Sequence, residues 1–174
     1  MQLLPTLKKF ALTALLPFAL LASVPQAQTV LDDEGPRPAV KQYNLEKGLA
    51  LSGYDPVAYF KEGGGKPQKG KKDLTVAHRG VTYRFASAKN KSLFEKDPAR
   101  FEPAYGGWCA YAMSQGEKVD VDPKSFLIEN GRLHVFYKGL FSNTKKKWQK
   151  EGGDKLRPKA DASWKKISGE KAGA

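Results

Sequence analysis

Asn130 and Gly131 separate two strand-length apolar runs, 126–129 and 133–137, and this feature constrains the fold more than any other part of the sequence. An Asn-Gly pair tolerates the positive φ angles that a two-residue turn requires. The segment therefore predicts an antiparallel β-hairpin in the second half of the chain.

A second hairpin is predicted upstream, where Arg79 and Gly80 separate the runs 74–78 and 81–85. Capping residues that precede proline or apolar periodicity predict short helices around the two hairpins. These helices begin at Asp55-Pro56, at Ser87, at Asp97-Pro98 and at Ser142 or Asn143, and a last one contains Trp164 and Ile167. Two hairpins interleaved with short helices indicate a small single domain of the α+β class.

The N-terminal residues have the pattern of a secretory signal peptide. Lys8 and Lys9 precede a nearly continuous apolar run over 10–24, and small residues follow as far as Ala27. The run is shorter than the roughly 20 residues of a membrane-spanning helix. We therefore expect residues 1–27 to be removed and the protein to be soluble, in the periplasm or secreted.

The rest of the chain divides into three predicted parts. Residues 28–48 combine proline, glycine and acidic residues without a period, which indicates a linker or an extended arm. One domain is predicted over 49–167, a length that a single core can organise. Residues 168–174 are predicted to fray.

The sequence carries 30 Lys and Arg against 18 Asp and Glu, a formal net charge of +12. Such a surface permits attraction to anionic lipid headgroups or envelope polymers. The run Lys145, Lys146 and Lys147 is a candidate for headgroup binding, with a solvated helical face as the alternative. No nucleic-acid partner is expected for a protein outside the cytoplasm.

Three motifs in order resemble those of exported proteins of the YHS family. They are LSGYDPVAYF at 51–60, GVTYRFASA at 80–88 with Phe94 closing the following helix, and YGGWCAYA at 105–112. The similarity extends over about 49–167 and implies a YHS-like (TRASH-like) domain. In the metal-binding branch of the family, cysteines occupy the positions that match Ala58, Ala86 and Asn90 here. The resemblance therefore implies the fold without that branch's metal site.

Cys109 is the single cysteine of the chain and the main candidate for chemistry. Met113 lies four residues further on, so a helix would place thiol and thioether on one face. Soft ligands of this kind select Cu(I), and His134 or His78 could complete a three-coordinate site. A copper-handling role is therefore one hypothesis, and a buried structural cysteine with Met113 as a core residue is the other.

Two further hypotheses compete with copper binding. Cys109, His134 and Asn143 have the residue types of a thiol hydrolase, although no familiar signature flanks the cysteine. An aromatic set could instead line a pocket for a small molecule or form part of the core. Its members are Tyr54, Tyr59, Tyr83, Tyr105, Trp108 and Tyr111.

The chain contains none of the familiar catalytic motifs for paired carboxylates, zinc proteases or dinucleotide binding. We therefore expect a binding protein rather than an enzyme. Its ligand is a metal ion, copper first, or else a small molecule or a protein partner.

Overall fold

The computed structural model describes Met1, Arg37 and residues 39–173. The signal peptide predicted over 1–27 lies outside the described residues, apart from Met1. By its internal contacts the chain divides into units 1–33 and 34–174, and the elements described below belong to the second. None of the helices in the described part is long and apolar enough to cross a membrane.

The described residues form a small α+β domain, as predicted. The strands are β1 (Leu45–Glu46), β2 (Leu49–Ala50), β3 (Thr75–His78), β4 (Val81–Arg84), β5 (Asp122–Glu129) and β6 (Arg132–Phe136). The helices are α1 (Ala88–Lys96), α2 (Pro98–Phe101), α3 (Ala110–Met113), α4 (Thr144–Glu151) and α5 (Gly153–Ser168). Short 3-10 turns cover Val40–Gln42, Leu51–Gly53, Val57–Tyr59, Lys61–Gly63 and Ala104–Gly107.

The strands form two separate sheets. The first has the order β1-β2-β4-β3, with β2 parallel to β4 and the other pairs antiparallel. The second is the β5-β6 hairpin. Helices α3 and α4 pack beside this hairpin, α5 packs against α3 and α4, and α1 packs against the first sheet.

Both predicted hairpins are confirmed at their turns. Asn130 and Gly131 have φ angles of 52° and 75°, and Arg79 and Gly80 have φ angles of 49° and 87°. Positive φ at both central residues is the geometry that matches the twist of the flanking strands. The local sequence therefore determines where these two turns form.

The predicted helix starts are confirmed by their caps. The Ser87 hydroxyl accepts a hydrogen bond from the Asn90 amide at 3.1 Å, and the Asp97 carboxylate accepts one from Arg100 at 3.3 Å. Asn143, rather than Ser142, caps α4. Each cap satisfies an amide that the first helical turn leaves without a partner.

Ordered elements extend beyond the boundaries that the sequence indicated. The turn Val40–Gln42 and strand β1 fall inside the segment 28–48, which was expected to be a linker or an arm. Helix α5 has 16 residues, more than the short helix predicted around Trp164 and Ile167. Contacts described below also tie Glu170 to the domain, within the segment expected to fray.

Candidate functional site

Cys109 occupies the position that precedes the first residue of α3, and its side chain is completely buried. The sulfur lies 3.2 Å from the hydroxyl oxygen of Thr144. Because the Thr144 hydroxyl donates its own proton to the Tyr137 carbonyl at 2.9 Å, the sulfur is the donor in the thiol contact. The thiol is therefore enclosed by protein and already engaged in a hydrogen bond.

Met113 lies on the same helical turn as Cys109, as the spacing predicted. The Met113 amide donates to the Cys109 carbonyl at 2.9 Å. The Met113 side chain is also completely buried and belongs to the main hydrophobic core. Both sulfur atoms thus lie in a packed interior rather than at the wall of an open cavity.

The two histidines lie on different sheets. His78 is on β3, where its ring contacts Phe94 at a centroid distance of 6.0 Å. His134 is on β6, and Cys109 pairs with the next residue, Val135. Among the described residues, no group of three or more His, Cys, Asp or Glu side chains is arranged to hold a metal ion. Cys109, His78 and His134 therefore do not share one site.

His134 is completely buried between aromatic rings. Its ring centroid is 5.8 Å from that of Tyr105 and 5.5 Å from that of Trp148. Nδ1 lies 3.2 Å from the Arg132 carbonyl, and Nε2 has no hydrogen-bond partner in the described part of the chain. Burial, and secondarily the charge of Arg132, lowers the pKa of His134 from 6.5 to about 4. The imidazole is therefore neutral at physiological pH.

This lowered pKa predicts a loss of stability in mild acid. The unfolded chain takes up a proton as the pH falls through 6.5, whereas folded His134 stays neutral down to about pH 4. The contribution of neutral His134 to the free energy of unfolding is fully present above pH 6.5. It is lost as the pH falls towards 4, which lowers the free energy of unfolding by up to about 3 kcal/mol. Urea unfolding across this range should show a shallower decline for His134→Phe. Equal declines in the two proteins would contradict the assignment to His134.

The residues proposed for a thiol hydrolase do not form a relay. Cys109 donates to Thr144, and Asn143 uses its side-chain oxygen to cap α4 by accepting from the Lys146 amide at 3.2 Å. Nδ1 of His134 faces the Arg132 carbonyl. Nucleophile, base and orienting amide must be hydrogen-bonded in series for this chemistry. The geometry gives thiol hydrolysis no support.

The predicted aromatic pocket residues are distributed over the fold. Tyr105 lines the cleft described below, and its hydroxyl donates to Asp161 at 3.0 Å. The other contacts are Tyr59 to the Pro123 carbonyl, Trp108 to the Gln42 carbonyl, Tyr111 to Glu151, Tyr83 to Glu102, and Tyr54 beneath the Lys69 ammonium. Each ring therefore joins two segments of the domain, and Tyr105 is the member of the set that lines the cleft.

Ala58, Ala86 and Asn90, the three positions that the resemblance matched to cysteines, meet at one carboxylate. Asp55, which is completely buried, accepts hydrogen bonds from the Ala58 amide at 3.2 Å, the Ala86 amide at 2.8 Å and the Asn90 side chain at 2.7 Å. The Val57 amide donates to it as well, at 2.8 Å. Residues 57, 58, 86 and 90 thus converge on one buried side chain, that of Asp55.

Arg37 anchors a second buried polar cluster, which we call the arm–tail network. Its guanidinium forms ion pairs with Glu102 and with Glu170, the latter at 3.3 Å, and donates to the Tyr43 hydroxyl at 2.5 Å. Tyr43 donates in turn to Glu170, and Tyr83 donates to Glu102 at 2.7 Å. Burial lowers the pKa of Arg37, but the charge of the adjacent Glu102 and its hydrogen bond outweigh this effect. The pKa of Arg37 therefore lies above its usual value.

A cleft of about 410 Å³ opens above this network, and we call it the arm–tail cleft. Arg37, Arg79 and Lys171 contribute cationic groups to its lining, and Glu102 and Glu170 contribute carboxylates. The aromatic part of the lining consists of Tyr43, Tyr105 and Trp164. The volume lies within the range typical of small-molecule sites.

Gly106 allows two aromatic rings of this cleft to pack against the backbone. Its φ angle is +60°, and a Cβ atom there would lie 2.6 Å from the Trp164 ring and 3.0 Å from the Tyr43 ring. Those two rings meet edge to face at a centroid distance of 5.3 Å. The absence of a Cβ atom at Gly106 lets the two rings approach the backbone at this point. Sequence reasoning missed the arm–tail cleft, because its residues come from both ends of the domain.

Comparisons with family models, with curated proteins and with solved structures find no match for this chain.

Proposed function

We propose that this chain is an exported binding protein of the YHS type and that its ligand occupies the arm–tail cleft. The convergence of Ala58, Ala86 and Asn90 on Asp55 supports the family, because the metal-binding branch needs these positions to be close together. The pattern of the N-terminal 27 residues supports export. Cys109 has a structural role in this proposal, since its thiol is buried and bonded to Thr144.

The charge distribution of the arm–tail cleft indicates the class of ligand. Cationic and acidic side chains line it together with aromatic rings. A ligand that carries both an anionic and a cationic group complements such a lining, and the rings add apolar contact and cation–π attraction. We therefore propose a zwitterionic small molecule of the size of an amino acid or a dipeptide. The mixed lining of the cleft is the single observation that carries this proposal.

Thermal unfolding in the presence of a ligand panel tests the proposal. The panel consists of the common amino acids, simple dipeptides, and singly charged amines and carboxylates as comparison compounds. A ligand at about ten times its Kd should stabilise the protein by about 1.4 kcal/mol and raise Tm by several degrees. Zwitterions should produce the shift and the singly charged compounds should not.

A filled cleft provides the matched control. Ala99 is exposed and lines the cleft, so Ala99→Trp should occupy the space without replacing any residue of the arm–tail network. Ala162 is an exposed helical residue that does not line this cleft, and Ala162→Trp should leave binding intact. The proposal fails if no zwitterion shifts Tm, or if Ala99→Trp binds as well as the unaltered protein.

Copper handling at Cys109 is the second candidate. One observation favours it: the buried Nε2 of His134 lacks a hydrogen-bond partner in the described part of the chain, and a neutral imidazole is a good metal ligand. The packed surroundings of Cys109 and Met113 weigh against it, because a bound ion would have to displace the Thr144 contact. The geometry therefore favours the cleft.

Anaerobic competition with a chromophoric Cu(I) chelator separates the two candidates. We expect no competition from the unaltered protein and none from Cys109→Ser. If the unaltered protein bound Cu(I) tightly at one-to-one stoichiometry and Cys109→Ser abolished this binding, the functional site would be the thiol rather than the cleft. The next variants would then be Met113→Leu and His134→Phe.

A further inference from the structure

The loop between β6 and α4 exposes two large apolar side chains. Leu140 and Phe141 have relative exposures of 96% and 101%, as large as those of isolated residues. A bridge between Lys138 and Asn143 closes the base of the loop, and the Gly139 amide donates to the Ser142 carbonyl at 2.9 Å. The two apolar side chains therefore stand at the tip of a short, hydrogen-bonded turn.

The Tyr137 ring contacts the backbone of this turn at Gly139. A Cβ atom on Gly139 would lie 2.3 Å from the Tyr137 hydroxyl, so the tyrosine ring packs directly against the glycine backbone. Tyr137 itself is 38% exposed. The transfer of a Leu or a Phe side chain from water to an apolar medium is favourable, and neither side chain gains this free energy while it is exposed to water. Exposed apolar residues in one group indicate an interaction site.

The loop lies within the most cationic stretch of the described domain. Residues 137–150 contain five lysines and no acidic residue. Lys138 lies on the loop, and Lys145, Lys146, Lys147 and Lys150 follow on α4. None of these lysines forms an ion pair with a described residue, and Lys147 lies over the Tyr111 ring at 5.7 Å. The apolar tip is thus flanked by cations on the loop and on the adjoining helix.

We propose that residues 137–150 form a membrane-docking surface, in which Leu140 and Phe141 enter the bilayer interface and the flanking lysines contact anionic headgroups. A convex tip with two apolar side chains suits penetration between lipids, whereas a stable protein interface needs about 800 Å² on each partner. Lysines near an anionic bilayer each add favourable attraction. The surface is separate from the arm–tail cleft, and its test does not depend on any ligand of that cleft.

Vesicle co-sedimentation of the full chain is the first test. The probes are phosphatidylcholine vesicles and vesicles in which about a third of the lipid is phosphatidylglycerol. We expect binding to the anionic vesicles that weakens as salt is raised, because salt screens exposed charges. Leu140→Ser/Phe141→Ser should weaken this binding about tenfold or more, since both side chains lose their transfer into lipid.

Two control variants accompany this measurement. Ile128→Ser removes an exposed apolar side chain elsewhere and should bind like the unaltered protein. Lys71→Gln/Lys72→Gln removes two exposed lysines outside the segment and should have a smaller effect than Lys145→Gln/Lys146→Gln. All of these positions are at the surface, so the melting temperatures of the variants should match that of the unaltered protein.

A depth measurement shows which residues enter the lipid. The apolar run 10–24 could bind vesicles by itself, so the readout must report on the loop. Trp148 and Trp164 are buried in the core, and Trp108 is half-buried. Brominated lipid should therefore quench Phe141→Trp more strongly than it quenches the unaltered chain. A chain that begins at residue 28, which retains the compact unit 34–174, should show the same difference.

Three outcomes would overturn the proposal. The first is equal binding of anionic vesicles by the unaltered chain and by Leu140→Ser/Phe141→Ser. The second is a loss of binding in the lysine variants alone, which would indicate adsorption of a charged surface without insertion. The third is that brominated lipid quenches Phe141→Trp no more than the unaltered chain. A loop that binds a protein instead of lipid would give this result.

Discussion

Asp55→Ala is expected to destabilise the protein by about 3–5 kcal/mol, because it removes the acceptor for four hydrogen bonds, three of which are buried. Three of the donors are backbone amides, and one of them, the Ala58 amide, keeps a second acceptor in the Asp55 carbonyl at 3.2 Å. The hydrogen bonds join the turn Val57–Tyr59 to Ala86 and Asn90, so the loss affects the junction between the first sheet and α1. Urea unfolding followed by circular dichroism measures the effect.

Asp55→Asn is the informative comparison for this prediction. Oδ1 accepts from Val57 and Ala58, while Oδ2 accepts from Ala86 and Asn90. An amide can serve only one of these pairs and presents its NH₂ group to the other pair of donors. We expect an intermediate loss of about 1–3 kcal/mol. If Asp55→Ala were as stable as the unaltered protein, the carboxylate would not be the centre of this junction.

Trp148→Ala is the second large expected effect, again a loss of about 3–5 kcal/mol. The Trp148 side chain is completely buried, and its ring centroid lies 5.5 Å from that of His134 and 5.7 Å from that of Phe136. Its indole nitrogen donates to Glu129 at 2.9 Å. Truncation therefore leaves a cavity between α4 and the β5-β6 hairpin and takes a donor from Glu129.

Trp148→Phe separates packing from hydrogen bonding at this position. The phenyl ring fills most of the space but cannot donate to Glu129, so we expect a loss of about 1–2 kcal/mol. Denaturant unfolding of both variants provides the comparison. Similar losses in Trp148→Phe and Trp148→Ala would mean that the Glu129 hydrogen bond, rather than ring packing, determines the stability of this region.

The sequence predicted the local structure of this protein well because turns and caps depend on neighbouring residues. The Asn130-Gly131 and Arg79-Gly80 turns form where the sequence indicated. Ser87 caps α1 as predicted. Helix α5 was predicted too short, since Pro158, which cannot donate a backbone hydrogen bond, lies inside it and obscures the helical pattern. Strand β1 was missed because it has only two residues.

The candidate sites depend on long-range packing, which the sequence does not encode locally. The spacing of Cys109 and Met113 correctly indicated a shared helical turn, but it could not show that Thr144 would enclose the thiol. Tyr105 was the one pocket candidate placed at the arm–tail cleft. Neither Arg37 nor Glu170 carried a signal in the sequence, because the pattern indicated an arm and a fraying tail around them.

The ion pair between Arg37 and Glu170 joins positions that are 133 residues apart. A polypeptide emerges from the ribosome, or from a translocation pore, with its amino end first. Arg37 therefore appears long before Glu170, and the carboxylate of residue 170 is supplied only when almost the whole domain has emerged. Until then the arm–tail cleft lacks one wall. The final closure of the domain must follow the completion of its synthesis or transport, so a partner that binds the growing chain meets this region in its open form.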